Sequence, residues 1–198
     1  WLREIERSDI PFVVWGPVKE DVQYCAVGSD NKKGGAIVGQ RFCELNRDRI
    51  LFIGNRAHTE IAQRWEGLES SLARSDRKPI LEYLEIPDFS FETALDHMNA
   101  YLSGGRVAIP DAVFAAGDAI AAGVVTAAKA NNIQIPNQLT VIGYDDLPMS
   151  ARMSPALTTV RQDTRQAGAL LVEKLFQRID GGRPQSVMIP TELIVRET

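Results

Sequence analysis

Short apolar runs alternate along the chain with longer stretches in which apolar residues recur every three or four positions. A short run predicts a buried strand, and the longer period predicts an amphipathic helix. The predicted strands are residues 10–15, 23–27, 49–54, 80–86, 111–116, 139–146, 187–189 and 192–195, with one more within 155–163. The predicted helices are residues 59–74, 91–102, 118–131 and 166–179, and another from about 30 to 45. This alternation indicates α/β structure, in which helices flank parallel sheets.

Local signals refine two of these elements. The strand at residues 80–86 carries charged side chains, which predicts an exposed position at the edge of its sheet. Asn46 follows the helix that ends near Leu45, and asparagine tolerates the left-handed conformation in which helices commonly end. We therefore predict that this helix stops at Asn46.

The predicted strand at residues 139–146 ends in a glycine, a tyrosine and two carboxylates, Asp145 and Asp146. In open α/β sheets, ligands bind just outside the carboxyl ends of the strands. Neighbouring residues on a strand point to opposite faces, so only one of the two carboxylates is expected to face a ligand. Such a group accepts charge-assisted hydrogen bonds from vicinal hydroxyls or from ring N–H groups. The residues alone allow equally that both cap a turn into Leu147-Pro148.

Several motifs together resemble the effector-binding domains of bacterial repressors of the lac/gal type, which share the fold of periplasmic sugar-binding proteins. The matching segments, which cover nearly the whole chain, are residues 27–31, 34–35, 49–54, 64–67, 115–118, 141–146 and 155–163, with Ala167-Gly168 in the next helix. The resemblance implies two Rossmann-like lobes, each a parallel sheet flanked by helices, with the first lobe incomplete.

The resemblance also implies a division of the chain between the lobes. Residues 1–46 and 163–184 are expected in the N-terminal lobe, and residues 47–162 and 185–198 in the C-terminal lobe. The chain starts at Trp1 without a methionine, so we expect a missing beginning. In the family, that part comprises a helix-turn-helix head and the first strands of the domain.

Three residues match positions at which the family contacts its ligand. Asp145 matches the carboxylate that grips the ligand. Arg64, in Arg64-Trp-Glu-Gly67, matches an arginine that reaches it, a role suited to the rigid fork of guanidinium donors. The alternative for Arg64 is a solvated helix residue paired with Glu60 or Glu69. Phe89 lies where the family often presents an aromatic ring to the ligand's apolar face.

Phe91 is the alternative to Phe89, and either phenylalanine could instead lie in the core. Asp118 begins a predicted helix, so its default role is an N-cap or first-turn carboxylate, and a ligand contact is the other interpretation. Many family members have Asn-Asp where this chain has Gly117-Asp118, which removes one donor from the expected pocket. Asp30 and Gln162 complete the expected ligand-binding set, with helix capping and surface solvation as their alternatives.

Composition limits the other function classes. A net charge of -4 and a pI near 5.3 give no electrostatic footprint for nucleic acid, so any operator contact is expected through the helix-turn-helix head. Cys25 and Cys43 are expected to be buried thiols of a cytosolic protein. His58 and His97 lack metal-site spacing, and phosphate-loop, dinucleotide-binding and nucleophile-elbow motifs are absent. We expect no metal, no cofactor and no enzymatic activity.

The expected function is that of a ligand-sensing domain in a cytoplasmic, homodimeric transcriptional repressor. Its effector would be a sugar, a nucleoside or a purine that shifts the population of two conformations. The dimer is expected to use the small-residue helix at residues 119–128 and the loop at 149–153. The alternative is a periplasmic sugar-binding protein of a transport system, and a third possibility is an α/β enzyme with an unrecognised site.

Overall fold

The computed structural model describes residues 4–5, 10–19, 22–104 and 109–198. Its strands are β1 (Val14–Trp15), β2 (Ala26–Ser29), β3 (Arg49–Gly54), β4 (Ile80–Glu85), β5 (Ala112–Ala115), β6 (Thr140–Asp145), β7 (Thr158–Arg161), β8 (Val187–Ile189) and β9 (Glu192–Ile194). Its α-helices are α1 (Asn31–Glu44), α2 (Thr59–Leu72), α3 (Phe91–Ser103), α4 (Asp118–Ala130) and α5 (Thr164–Ile179). The predicted α/β class with mainly parallel sheets is confirmed.

The larger sheet has six strands in the order β4-β3-β5-β6-β7-β9. Neighbouring strands run parallel, except that β9 is antiparallel to β7. The predicted edge position of β4 is confirmed. Helices cover both faces of the sheet, as two adjacent residues of β6 show. Gly143 and Tyr144 point to opposite faces, and each meets a different helix. Tyr144 lies under Arg64 of α2, and a β-carbon at Gly143 would meet Asp118 and Ala121 of α4.

The smaller sheet consists of β1, β2 and β8, paired in parallel in that order. The predicted strand at residues 10–15 is therefore shortened to its last two residues. The chain divides into a smaller compact unit, residues 1–30 and 162–191, and a larger one, residues 31–161 and 192–198.

The compact units and the expected lobes differ at residues 31–46, at Gln162 and at residues 185–191. Helix α1 was expected with the N-terminal lobe, but it lies in the larger unit because it packs along α2. Strand β8 was expected with the C-terminal lobe, but it lies in the smaller unit because it pairs with β2.

The ends of the helices follow the local sequence. Asn46 has a φ of 56°, so the predicted left-handed stop after α1 is confirmed. Ser90 caps α3 by accepting a hydrogen bond from the Thr93 N–H, and Asp163 caps α5 by accepting one from the Gln166 N–H. A 3₁₀ helix at Ser150–Arg152, in the loop after β6, was not predicted.

Helices α1 and α2 meet with their backbones in contact. A β-carbon at Gly35 of α1 would overlap the carbonyl oxygen of Arg64, and one at Gly67 of α2 would overlap the carbonyl oxygen of Lys32. Only glycine permits such an approach. Gly35 and Gly67 therefore set the spacing of the two helices at this contact and, with it, the position of Arg64.

A substitution at this contact should destabilise the protein. We expect Gly67→Ala to lower the free energy of unfolding by about 1–3 kcal/mol, because the helices must move apart. The matched control is Gly168→Ala in α5, where nothing lies within 4 Å of the added carbon. That change should raise the free energy of unfolding by about 0.5–1 kcal/mol through the loss of glycine's unfolded-state entropy. Urea unfolding followed by circular dichroism measures both, and equal gains in stability would contradict the close helix contact.

Candidate ligand-binding site

The carboxyl ends of β3, β4, β5 and β6 lie at one edge of the larger sheet, since these strands are parallel. The loops that follow these four strands carry, in chain order, residues 55–58, 86–90, 116–117 and 146–149. The structure thus brings Phe89, Asp118 and Asp145 to one edge, where Arg64 joins them from α2. This edge is where an open α/β sheet binds its ligands.

Arg64 is buried rather than solvated, with only 6% of its surface exposed. Its Nε donates a hydrogen bond to Oδ1 of Asn31 at 2.9 Å, and its Nη1 donates to the carbonyl oxygen of Ala116 at 2.5 Å. The guanidinium carbon lies 3.5 Å from the centre of the Tyr144 ring. These two hydrogen bonds use two of the five N–H groups of a guanidinium, which leaves donors for a ligand.

Asp145 is the last residue of β6, and its side chain is half-buried. Its Oδ2 lies 3.5 Å from where a β-carbon at Gly117 would be. The departure from the family's Asn-Asp pattern therefore lies directly beside this carboxylate. Gly117 is the residue before α4, so the Asp145 carboxylate lies near the N-terminal end of that helix.

Phe89 projects from the loop after β4 and is 43% exposed, so it is not part of the core. Its ring lies 5.0 Å from the ring of His58, centre to centre, at an interplanar angle of 59°. The alternative residue, Phe91, is half-buried at the start of α3. His58 was considered only as a metal ligand, although its place after β3 and just before α2 marks it as part of this edge.

Asp118 is fully buried at the start of α4. Its Oδ2 accepts hydrogen bonds from the Leu147 N–H at 2.8 Å and the Ser150 hydroxyl at 2.6 Å. Its Oδ1 accepts one from the Thr159 hydroxyl at 2.5 Å. Burial raises the pKa of Asp118, and the three hydrogen bonds only partly offset that effect. Because both oxygens are occupied, we assign Asp118 to holding the loop after β6, the first-turn carboxylate interpretation.

Asp146 carries two ion pairs. Its Oδ2 accepts a hydrogen bond from Nε of Arg161 at 2.8 Å, and its Oδ1 accepts one from Nη2 of Arg196 at 2.6 Å. Burial alone would raise the pKa of Asp146, but the hydrogen bonds and charges of Arg196 and Arg161 outweigh it and lower the pKa. Asp146 is thus committed to contacts within the protein.

Asp30 and Gln162 belong to the smaller unit. The Asp30 N–H donates to the carbonyl oxygen of Ile189 at 2.9 Å, and the Asp30 carbonyl accepts from the Thr191 hydroxyl at 3.3 Å. The carbonyl oxygen of Gln162 accepts from the N–H of Thr164 at 2.8 Å, just before α5. A ligand contact by either side chain stays a prediction.

Residues 4–5, 10–19, 22–104 and 109–198 contain no group of three or more His, Cys, Asp or Glu side chains that could hold a metal ion. Within the same residues, no helix combines the length and the apolar character needed to cross a bilayer.

The family of the periplasmic binding protein-like domain matches residues 40–198 of this chain. The chain belongs to this family. That match confirms the fold that the motifs implied. This periplasmic binding protein-like domain includes Arg64, Phe89, Asp118, Asp145 and the ion pairs of Asp146 within the matched residues.

Curated relatives of the domain are repressors. The HTH-type transcriptional repressor PurR of Histophilus somni strain 2336 is 28% identical over 197 residues, which is 96% of this chain and 58% of the repressor. The ribose operon repressor of Halalkalibacterium halodurans is 29% identical over 201 residues, covering 99% of this chain and 58% of the repressor. The chain thus spans less than two thirds of the length of these relatives. The resemblance to lac/gal-type repressors is confirmed.

A solved structure is similar in fold over almost the whole chain. The LacI family transcriptional regulator from Enterococcus faecium, with bound ribose, has a TM-score of 0.83 and 25% sequence identity. The similarity covers 99% of this chain and 72% of that protein.

The supporting role of Asp118 can be tested through stability. We expect Asp118→Ala to lower the free energy of unfolding by about 1–3 kcal/mol, because it leaves the Leu147 N–H and two buried hydroxyls without their acceptor. Asp118→Asn should cost less, since its amide oxygen can accept from Leu147 and Ser150 while its NH₂ donates to the Thr159 hydroxyl. Urea unfolding compares the two variants. Equal losses, or none, would show that these hydrogen bonds do not hold the loop.

Proposed function

We propose that this domain is the ligand-sensing part of a repressor-type transcriptional regulator. The observation that carries the proposal is the set of groups at the carboxyl edge of the larger sheet. It combines the half-buried carboxylate of Asp145, the exposed ring of Phe89 and the buried guanidinium of Arg64. The names of the relatives support a regulatory role over transport, since both curated relatives described above are repressors.

The chemistry of the edge suits a small, neutral, hydroxyl-rich ligand. Asp145 accepts hydrogen bonds from vicinal hydroxyls, and Phe89 packs against the apolar face of a ring. The remaining N–H groups of Arg64 donate to ring or hydroxyl oxygens. The ribose in the Enterococcus structure and the ribose operon repressor favour a sugar, with nucleosides and purines as the alternatives. We keep Asp30 and Gln162 as proposed contacts and place Asp118 behind the site.

Regulation would follow from differential binding. A ligand shifts a conformational equilibrium only as far as it prefers one state. The coupling is reciprocal, so an effector that weakens operator binding also binds less tightly to the DNA-bound form. In this proposal the domain acts in the cytoplasm and has no catalytic activity. It is joined to a helix-turn-helix head of the kind that the name of the PurR repressor indicates.

Ligand binding can be tested by thermal melting of the protein with D-ribose, D-glucose, cellobiose, ribose 5-phosphate, adenosine and guanine. A ligand that binds only the folded state, at a hundred times its Kd, stabilises it by about 2.7 kcal/mol, so the melting temperature should rise by roughly 5–10 °C. We expect Asp145→Ala to lose this shift.

Asp48→Ala is the matched control for the melting experiment, because it removes an exposed carboxylate that precedes β3, at the opposite end of the strand from the site. It should keep the full shift. If none of the six compounds raises the melting temperature of the wild type, the proposed function fails for these ligand classes. A shift that survives in Asp145→Ala would place the site elsewhere.

We also propose that the regulator acts as a homodimer. Helix α4 was expected at the interface, but most of it packs inside the larger unit, with only Thr126, Lys129 and Ala130 exposed. The loop after β6 presents two exposed apolar side chains, Leu147 and Met149. We therefore place the proposed interface mainly on this loop.

The dimer predicts a dimeric mass at micromolar concentration in analytical ultracentrifugation. Met149→Asp should shift the mass toward the monomer, because dimer formation would bury the new charge. Asp180→Asn, a change of charge at the exposed end of α5, is the control and should leave the mass unchanged. A monomeric mass at all concentrations would refute the proposed dimer.

A further inference from the structure

Asp146 lies beside the ligand-facing carboxylate but is committed to two arginines. Its side chain is only 10% exposed, and that of Arg196 is 18% exposed. Arg161 is more exposed, at 46%, and also pairs with Glu192 at 3.6 Å. An exposed pair contributes little by itself, but a largely buried carboxylate that accepts from two guanidiniums is held firmly in one orientation.

The backbone at this point is strained. Asp145 has a φ of 118° and Asp146 a φ of 56°, values that side-chain-bearing residues rarely adopt. Such strain persists only where surrounding contacts impose it. Among the contacts at this segment are the two ion pairs of Asp146 and the hydrogen bond from its N–H to the Thr159 hydroxyl at 3.4 Å. The same strained segment carries the Asp145 carboxylate.

The arginines tie Asp146 to the last two strands of the sheet. Arg161 is the final residue of β7 and lies opposite Asp145 in the strand register. It also lies opposite Glu192, the first residue of β9. Arg196 follows β9 and donates a second hydrogen bond to the carbonyl oxygen of Leu157 at 2.7 Å. Two strands and the loop between β6 and β7 therefore converge on one carboxylate.

We infer that Asp146 is a positioning residue, whose ion pairs with Arg161 and Arg196 hold the strained backbone that orients the Asp145 carboxylate, and which thereby sets the affinity of the ligand. The inference rests on the proposed function, because Asp145 must be the residue that binds the ligand. Asp146 itself makes no contact with the ligand. Its effect on affinity passes through the conformation of Asp145.

The first test is the variant Asp146→Asn, which keeps the size of the side chain and removes its charge. Isothermal titration calorimetry measures the Kd for D-ribose, or for whichever of the six compounds shifts the wild type if ribose does not. We expect about a tenfold weaker Kd, the lower end of the effect of removing a residue that orients a metal ligand. A Kd within twofold of the wild type would overturn the inference.

The matched control is Asp48→Asn, which breaks another carboxylate–arginine pair. Asp48 accepts from Nη2 of Arg77 at 2.7 Å and from its Nε at 3.0 Å, away from the site. We expect its Kd to equal that of the wild type. If Asp48→Asn weakens binding as much as Asp146→Asn does, the effect is not specific to positioning.

A comparison of two Arg196 variants distinguishes a positioning role from an effect on overall stability. Arg196→Met should weaken binding, and Arg196→Lys should recover most of the affinity, because lysine keeps one charged donor toward Asp146. A merely structural role would instead make affinity follow the melting temperature of the unliganded variants. Equal affinities for the two Arg196 variants would contradict the inference.

A crystal structure of unliganded Asp146→Asn tests the inference without a ligand. We expect Asp145 to leave the positive-φ region once its neighbour is released. A φ that stays near the wild-type 118° would overturn the positioning role. If the wild type binds no compound of the panel, the proposed function fails, while this backbone measurement still decides whether Asp146 holds Asp145.

Discussion

A buried positive charge governs the arrangement of the larger unit. Removing the Arg64 guanidinium from water is costly unless hydrogen bonds and ring contacts replace the lost hydration. The replacements come from three separate elements: the side chain of Asn31 at the start of α1, the carbonyl of Ala116 after β5, and the ring of Tyr144 on β6. Gly35 and Gly67 let α1 and α2 approach closely enough for this. The close helix packing thus allows Asn31 on α1 to reach the Arg64 guanidinium on α2.

Three carboxylates, those of Asp118, Asp145 and Asp146, lie at this edge of the sheet, and each has different surroundings. Asp118 is fully buried and accepts only neutral donors, so it holds a loop. Asp146 accepts from two guanidiniums, so its charge is neutralised inside the protein. Asp145 is half-buried beside the side-chain-free Gly117, which leaves room for a ligand group next to it. The environment, rather than residue type, decides which carboxylate is suited to a ligand.

Apolar periodicity predicted the fold well, because strands β3 and β6 and helices α2 and α4 are long and strongly patterned. It could not predict the 3₁₀ helix at Ser150–Arg152, which depends on Asp118, some thirty residues earlier in the chain. Nor could it place α1, whose unit is decided by glycine contacts with α2. Motif resemblance indicated Arg64 and Asp145, but it did not reveal the Asn31, Tyr144 or Arg196 contacts, since these join residues far apart in sequence.

The chain passes between the two compact units after residues 30, 161 and 191. A residue at each of these three crossings takes part in the hydrogen bonds and ion pairs around Arg64 and Asp146. Asn31 holds Arg64, Arg161 holds Asp146, and Glu192 pairs with Arg161. Under the proposed function, a ligand bound by Arg64 would contact a residue that is hydrogen-bonded to Asn31, and a ligand bound by Asp145 would contact the neighbour of Asp146, which pairs with Arg161. The proposed coupling therefore needs only that these short segments change conformation when the ligand binds.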